Sequence, residues 1–581
     1  MRYDRFRVLI KNKYVILLFF SFIILLPNIW LACVSMASQA SLQWLGATLL
    51  IYILIHALLG STKWFFLIFA TPIFFYPSQI FYISLYREPV SAHIIAVFLE
   101  SNSAEIFSFI SFYQSIFFLI AHLVFYSILI YIFFILYKDP VFFPKKIRLT
   151  IIGVLGLPLL VFFLFTLRTS QELEKILVDI QQDGLMYEKS SAVDLLQKTL
   201  PSGILLNIYE YYIEQRKMKN VAQKFKNYSF DMVYQGESLE PETYVLVIGE
   251  TSRRDLWQMH GYQEPTNPYL SQEPNIVPFN NMLSVAASTR KSIPMMLTRK
   301  PAEMVYRFAF HEPSVITAFK QAGFRTYWLS AQQPFGQHDT TTSVYASEAD
   351  IQRFVNPVGY QSQGAYDGSL VSALKDTLGE KKYPKKLIIL HMLGSHFNYD
   401  HRYPEDFNVF KPSMRDMKIS DMKLKENKEF IINSYKNSIL YSDFFLYQVI
   451  LELKVANGKS FLLYSADHGE DLYDGDCELF GHGNKTKFNF EVSAFAWYSD
   501  KFMAGEKDKI DNLMRNKEAP INHQIIFGSM LAAASIRLAK TDPLTIFSEK
   551  ALKKPRLVDA HGLLNYDDSR IVGTCQEVVE P

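Results

Sequence analysis

Two hydrophobic rhythms divide the chain. Up to about residue 168 the apolar positions run together in stretches 14–37, 42–59, 64–83, 116–137 and 149–167, each near the ~20 residues that a bilayer core demands. They predict a transmembrane domain of five helices over residues 1–168. From about residue 241 short apolar runs alternate with amphipathic stretches. Runs at 244–249, 324–330, 386–392, 461–465 and 492–498 read as strands, and 314–322, 369–378, 426–454 and 523–533 as helices. Such interleaving predicts an α/β domain over residues 241–581, with a central, mainly parallel sheet between helices. Residues 169–240 are charged and amphipathic, interrupted at Pro201-Ser202-Gly203, and read as bridging helices and a linker lying partly on the membrane.

Basic residues orient the spans. Arg2, Arg5, Arg7, Lys11 and Lys13 precede the first, Lys63 follows the second, and Lys138, Lys145, Lys146 and Arg148 precede the fifth, whereas the loop between the third and fourth holds only Arg87. The positive-inside rule puts the N-terminus in the cytoplasm, and an odd number of spans exports everything after about residue 168. The first run is too long for a cleavable signal. A net charge of +2 gives no ground for a nucleic-acid partner. Of the three cysteines, Cys33 lies in a span, and Cys477 and Cys575 are expected to be free thiols.

Candidate chemistry sits where strands end. The run Tyr244-Val245-Leu246-Val247-Ile248-Gly249 stops at Glu250, and the run from Phe461 stops at Asp467-His468-Gly469-Glu470. Open α/β sheets place their sites at such carboxyl edges, and carboxylate with imidazole is a ligand set that Zn²⁺ accepts. His396, flanked by His391 and His401, and His482, set between two glycines, are further candidates. His338, beside Gln333, Gln337 and Asp339, suggests a polar wall, while His260, His311, His523 and His561 lack such context. Ser288, Thr289 and Ser292 compete as nucleophile at a predicted helix start, where backbone amides favour an anion, and Arg290 and Lys291 stand beside them. Between the third and fourth spans, Glu100, Ser101, Asn102 and Glu105 precede an aromatic stretch suited to the lipid surface.

Glu250-Thr251-Ser252-Arg253, Ser288-Thr289-x-x-Ser292-Ile293-Pro294, Ser395-His396, Asp467-His468-Gly469-Glu470 and Gly481-His482-Gly483, behind five predicted spans, resemble the phosphoethanolamine transferases of Gram-negative bacteria. These are inner-membrane enzymes of the alkaline phosphatase and sulfatase superfamily. The scarcity of cysteine and the stretch from Lys385 to Glu405 look more like the branch acting on lipopolysaccharide core heptose, or its phosphate, than like the lipid A branch. The resemblance implies Thr289 as nucleophile and as ligand, with Glu250, Asp467 and His468, of one or more zinc ions. It implies that His396 and His482 meet the substrate phosphate or a further zinc, and that Glu100, Ser101, Asn102 and Glu105 meet the lipid headgroup. The implied donor is phosphatidylethanolamine, the acceptor lipopolysaccharide, and the protein a multi-pass monomer with a periplasmic catalytic domain.

Two other readings compete. A phosphoglycerol or other headgroup transferase of the same superfamily differs only in donor. A membrane-anchored binding module with no activity would hold less than one zinc per chain. A formylglycine sulfatase is set aside because no C/S-x-P-x-R motif stands where its nucleophile is needed.

Overall fold

Strands whose every residue is buried have to be covered on both faces, and the strand Glu242–Gly249 (β1) is buried throughout. The computed structural model describes residues 13–34, 39–86, 89–90, 95, 112–142, 144–157, 198–199, 203–212, 225, 227–234, 240–307, 310–332, 341–355, 366–418, 422, 424–539, 543–550, 552 and 554–581. They fall into two compact units: residues 1–99 with 112–213, and residues 100–111 with 214–581.

The second unit is built on a seven-stranded sheet. In chain order its strands are β1, Ile276–Pro278 (β2), Arg325–Ser330 (β3), Ile351–Phe354 (β4), Lys385–His391 (β5), Lys459–Ala466 (β6) and Ala494–Tyr498 (β7). Their spatial order is β2-β7-β6-β1-β5-β3-β4. β1 runs parallel to β5 and β6, and β3 parallel to β5 and β4, whereas β7 is antiparallel to both of its neighbours. The sheet is therefore mixed: a parallel centre with an antiparallel turn-back at one edge.

Alternate residues of β1 serve two cores. Tyr244, Leu246 and Ile248 face helices Thr289–Leu297 (α1), Val315–Gln321 (α2) and Ile525–Ala533 (α5), where Ile293, Ile316, Phe319 and Met530 are buried. Val245 and Val247 face Ser369–Gly379 (α3) and Lys428–Ala456 (α4), where Leu374, Ile439, Leu446 and Val449 are buried. Each such aliphatic side chain taken from water contributes about 1.5–3 kcal/mol. Asn457, left-handed at φ 49°, stops α4 and turns the chain into β6.

The first unit holds helices Lys13–Val34, Gln39–Leu59, Thr62–Phe74, Tyr76–Tyr86, Phe112–Lys138 and Lys145–Ile151, the last continuing into a π turn, Ile152–Gly156. Among the described residues three helices are long and apolar enough to cross a membrane: Lys13–Val34, Ser41–Leu59 and Leu119–Lys138. The third predicted span is instead two shorter helices. Pro77 has no N–H to offer Ile73, so it sits in the first turn of a new helix, where that loss is free. The fifth is helical as far as residue 157, and its remainder lies outside the described residues.

Lys13 pairs with Asp139 at 2.8 Å, Ser61 bridges to Phe142, and Arg148 donates to the carbonyls of Ala57 and Leu58. The start of the first long helix, the end of the second and the end of Phe112–Lys138 thus share one side, the side that carries the basic loops. Helical residues 203–212 set Ile204 and Ile208 against Leu31 and Ile83. In the other unit Met232–Tyr234 pairs with Ile536–Leu538. The predicted bridge is thereby shared between the two units, and its stretch 172–180 lies outside the described residues.

Cys477 and Cys575 are not free thiols: they form a disulfide with Cα atoms 4.7 Å apart and a sequence separation of 98. Cys477 lies in the hairpin between Asp471–Leu472 and Phe480–Gly481, and Cys575 in that between Arg570–Val572 and Glu577–Val579. The last strand is fastened near the first hairpin, where Val578 N–H donates to Lys485 O and Thr486 bridges to Glu577, which brings the two turns together. Closing a loop of that length is worth about 2–5 kcal/mol, mostly by restricting the unfolded chain. Replacing both cysteines by serine is expected to lower unfolding free energy by that amount, read from the urea midpoint.

Candidate metal centre and active site

β1 and β6 are neighbours in register, Gly249 opposite Ala466, so Glu250 and Asp467-His468 leave the sheet side by side. Ligand atoms of Glu250, Asp467 and His468 lie within 4.8 Å of one another, all buried. His468 Nε2 is 3.6 Å from Glu250 Oε1 and 3.5 Å from Asp467 Oδ2. Its Nδ1 lies 2.9 Å from Gly469 O, an atom that can only accept, so the proton sits on Nδ1 and the Nε2 lone pair faces the carboxylates. Thr289, the first residue of α1, brings Oγ1 to 3.2 Å from His468 Nε2 and 3.4 Å from both Glu250 oxygens.

These spacings fit a four-coordinate ion. Bonds of about 2.0–2.1 Å in a tetrahedron put the ligands roughly 3.3 Å apart, close to the 3.2–3.6 Å that separates His468 from Thr289, Asp467 and Glu250. Asp467 Oδ1 accepts from the backbone N–H groups of Thr251 (3.0 Å) and His468 (2.8 Å), while its buried Oδ2 lies on the side of His468 Nε2. Burial, with the charge of Asp467 adding to it, pushes Glu250 up to about 7, and burial pushes Asp467 up to about 6 and His468 down to about 4. Adjacent carboxylates that resist ionising alone, beside a neutral imidazole, form a cage that a divalent cation neutralises. The mixed oxygen and nitrogen donors suit zinc better than magnesium or calcium.

The remaining candidates separate cleanly. His482 stacks beside His468, ring centroids 4.5 Å apart, with Nδ1 3.9 Å from Glu470 Oε2. Burial opposes its charge, but Glu470, Glu250 and Asp467 outweigh that and raise its pKa. His396 lies near enough to His468 and His482 to feel both, and burial with the charge of Arg402 holds its pKa well below the usual value. His396 follows a loop tied to the metal ligand: Ser395 N–H donates to Glu250 O, and the N–H groups of Leu393 and Gly394 donate to Asp367. Gly394 has φ 51°, and a Cβ there would stand 2.6 Å from Glu250 O, so only glycine lets this loop approach.

Ser292 Oγ is committed to Ala286 O at 2.8 Å, and Ser288 is the N-cap of α1, which leaves Thr289 as the hydroxyl beside the cluster. Lys291 pairs with Asp559 at 2.6 Å and Arg290 is buried. His391 packs on Trp328, His401 lies beside Asp400, His260 meets Asn280 and Ser493, and His523 Nε2 faces Ala466 O. His311 sits beside Glu312, and His561 Nε2 is 3.1 Å from Gly483 O. Glu100, Ser101, Asn102, Glu105, Gln333, Gln337, His338 and Asp339 lie outside the described residues.

Other groups, to which the sequence assigned no role, brace the site. Gln332 and Thr251 hold Glu250. Arg253, buried against the Phe488 ring, pairs with Asp255 and Asp474 and donates to Glu470 O. Asp471 gathers Thr486, Asn484 and Asn489 beneath the His482 loop. Gly469 explains the third position of Asp467-His468-Gly469-Glu470: a Cβ there would lie 2.1 Å from Phe488 O. Gly469→Ala is expected to cost about 1–3 kcal/mol by displacing that backbone, seen as a lower thermal midpoint.

A mixed α/β sheet with an acidic and imidazole cluster at the parallel strand ends is the build of a phosphate- or sulfate-ester enzyme. The chain belongs to the sulfatase family, whose model matches residues 242–536. Over 440 residues it is 28% identical to the phosphoethanolamine transferase EptC of Escherichia coli, covering 73% of this chain and 72% of that protein. The crystal structure of the C-terminal periplasmic domain of Escherichia coli EptC in complex with Zn superposes with a TM-score of 0.53 at 26% identity, over 58% of this chain and 95% of that one. The integral membrane lipooligosaccharide phosphoethanolamine transferase A of Neisseria meningitidis shares the fold over 92% of this chain and 96% of its own, at a TM-score of 0.64 and 18% identity.

Proposed function

We propose that this protein transfers phosphoethanolamine from phosphatidylethanolamine to lipopolysaccharide through a covalent Thr289 intermediate. The observation that carries this reading is the hydroxyl of Thr289 set 3.2–3.4 Å from Glu250 and His468, at the head of a nine-residue helix. The relatives named above, which are phosphoethanolamine transferases, and the zinc in the EptC domain support it. Residues 1–168 are the transmembrane domain, 169–240 the bridge and 241–581 the catalytic domain. Lys and Arg in the loops on one side support a bacterial inner-membrane protein with that side in the cytoplasm and the catalytic domain in the periplasm. It acts as a monomer, and core heptose is the acceptor that the sequence resemblance favours.

Glu250, Asp467, His468 and Thr289 are the residues that would hold zinc. Bound there, zinc supplies Lewis-acid stabilisation of charge on the phosphoryl oxygens and makes a nearby hydroxyl more acidic. Thr289 Oγ1 attacks phosphorus, the bond from phosphorus to the diacylglycerol oxygen breaks, and that oxygen leaves with the threonine proton. The amides at the start of α1 face the same anion. His396 and His482 flank the phosphoryl group, and Glu470 favours the charged form of His482. In the second half an acceptor oxygen attacks the phosphothreonine ester, and Thr289 recovers its proton. Glu100, Ser101, Asn102 and Glu105 meet the donor headgroup.

Purified full-length protein given phosphatidylethanolamine without acceptor is expected to gain the mass of one phosphoethanolamine. Complete absence of that adduct, in protein carrying zinc, would overturn the reading.

A further inference from the structure

The Glu250 carboxylate is gripped from both sides. Thr251 Oγ1 donates to Oε1 at 2.7 Å, and Gln332 Nε2 donates to Oε2 at 3.0 Å. The same Gln332 nitrogen donates to Met392 O at 2.8 Å. A carbonyl and a carboxylate both only accept, so the amide has one workable orientation, NH₂ towards Glu250. Gln332 follows β3 and Met392 follows β5, so the amide rests on the sheet's own carboxyl edge, where it cannot drift with a surface loop.

Thr251 reaches both carboxylate ligands. Its hydroxyl holds Glu250 while its N–H holds Asp467 Oδ1. It does so at φ 51°, a left-handed conformation that β-branched residues rarely adopt. Tyr435 on the buried face of α4 keeps it there: the Tyr435 hydroxyl donates to Thr251 O at 2.7 Å and accepts from Arg253 N–H at 3.0 Å. A strained residue fixed at this turn, with its two polar groups assigned to two different ligands, has a purpose at the ligands.

We infer that Thr251 and Gln332 are positioning residues that set the zinc affinity of the Glu250–Asp467–His468 cluster, by fixing the Glu250 carboxylate and Asp467 Oδ1 before the cation arrives. Outer donors of this kind spare the cation the work of ordering its own ligands. The inference rests on the reading of that cluster as a zinc site.

The test is the zinc dissociation constant of the full-length protein in detergent, by competition with a chromogenic chelator. Gln332→Met fills the same space without a donor, and Thr251→Val keeps the branched shape and the backbone N–H but loses the hydroxyl. Each is expected to weaken zinc binding by about 10–100-fold, with the metal-free thermal midpoint close to wild type. Thr251→Ser, which restores the hydroxyl, is expected to return to within about threefold of wild type. Affinities of Gln332→Met and Thr251→Val within about threefold of wild type overturn the inference. Wild-type protein that binds no zinc overturns the proposed function instead, so the two failures are distinguishable. Should Thr251→Val not fold, Gln332→Met still decides, an affinity within about threefold of wild type overturning the inference.

Discussion

Thr289→Ala is expected to abolish the covalent adduct and to lower transfer to lipopolysaccharide by at least about a thousandfold, the scale on which loss of a nucleophile is felt. Neither of the other two hydroxyls at the start of α1 replaces it. Ser292 is buried and donates to Ala286 O, and Ser288 precedes the helix. Ser292→Ala is accordingly expected to keep the adduct, and Thr289→Ser, which retains an oxygen at the same helix position, to keep a measurable fraction of it. Tandem mass spectrometry of the trapped adduct should place the added group on Thr289. An adduct that survives in Thr289→Ala would remove this residue from the mechanism while leaving the cation site intact.

Stripping the cation is the second large effect. Chelation is expected to suppress transfer by about a thousandfold and zinc to restore it, because several kcal/mol of charge stabilisation is lost with the ion. Asp467→Asn is expected to match chelated wild type and to resist rescue. The amide would present N–H groups or a neutral oxygen where the buried Oδ2 now lies 3.5 Å from His468 Nε2. Stability gives a separate readout: the unfolding midpoint of wild type should rise with added zinc, and that of Asp467→Asn should not. Zinc-independent transfer by a chelated sample would contradict the assignment.

Much of this cluster is legible in the sequence. A strand that stops at a carboxylate, and another that stops at Asp467-His468, are visible as abrupt changes of pattern, and parallel neighbours in register convert that pattern into convergence. The edge strands Ile276–Pro278 and Ile351–Phe354 escaped because three or four residues of mixed exposure carry no period. Gln332 and Thr251 escaped for a different reason. An amide or a hydroxyl next to polar residues gives no local signal of which distant oxygen it will hold, and the left-handed turn at Thr251 is enforced by Tyr435 from another element. The disulfide depends on two hairpin turns meeting in space, which spacing in the sequence does not encode. Pro77 was readable in hindsight: a proline inside an apolar run of spanning length marks a place where one helix ends and the next begins.

β1 lies between β5 and β6, and Thr251 meets Asp467 across 216 residues of chain. Ligands drawn from such distant segments do not exist as a set until the parallel centre of the sheet has closed, and closures of this length are slow to form. A small zinc module uses its ion to begin folding; here the cluster that would hold an ion is assembled by the folded sheet itself. A chain whose sheet has not yet closed presents no such cluster, so the site and the sheet are completed together.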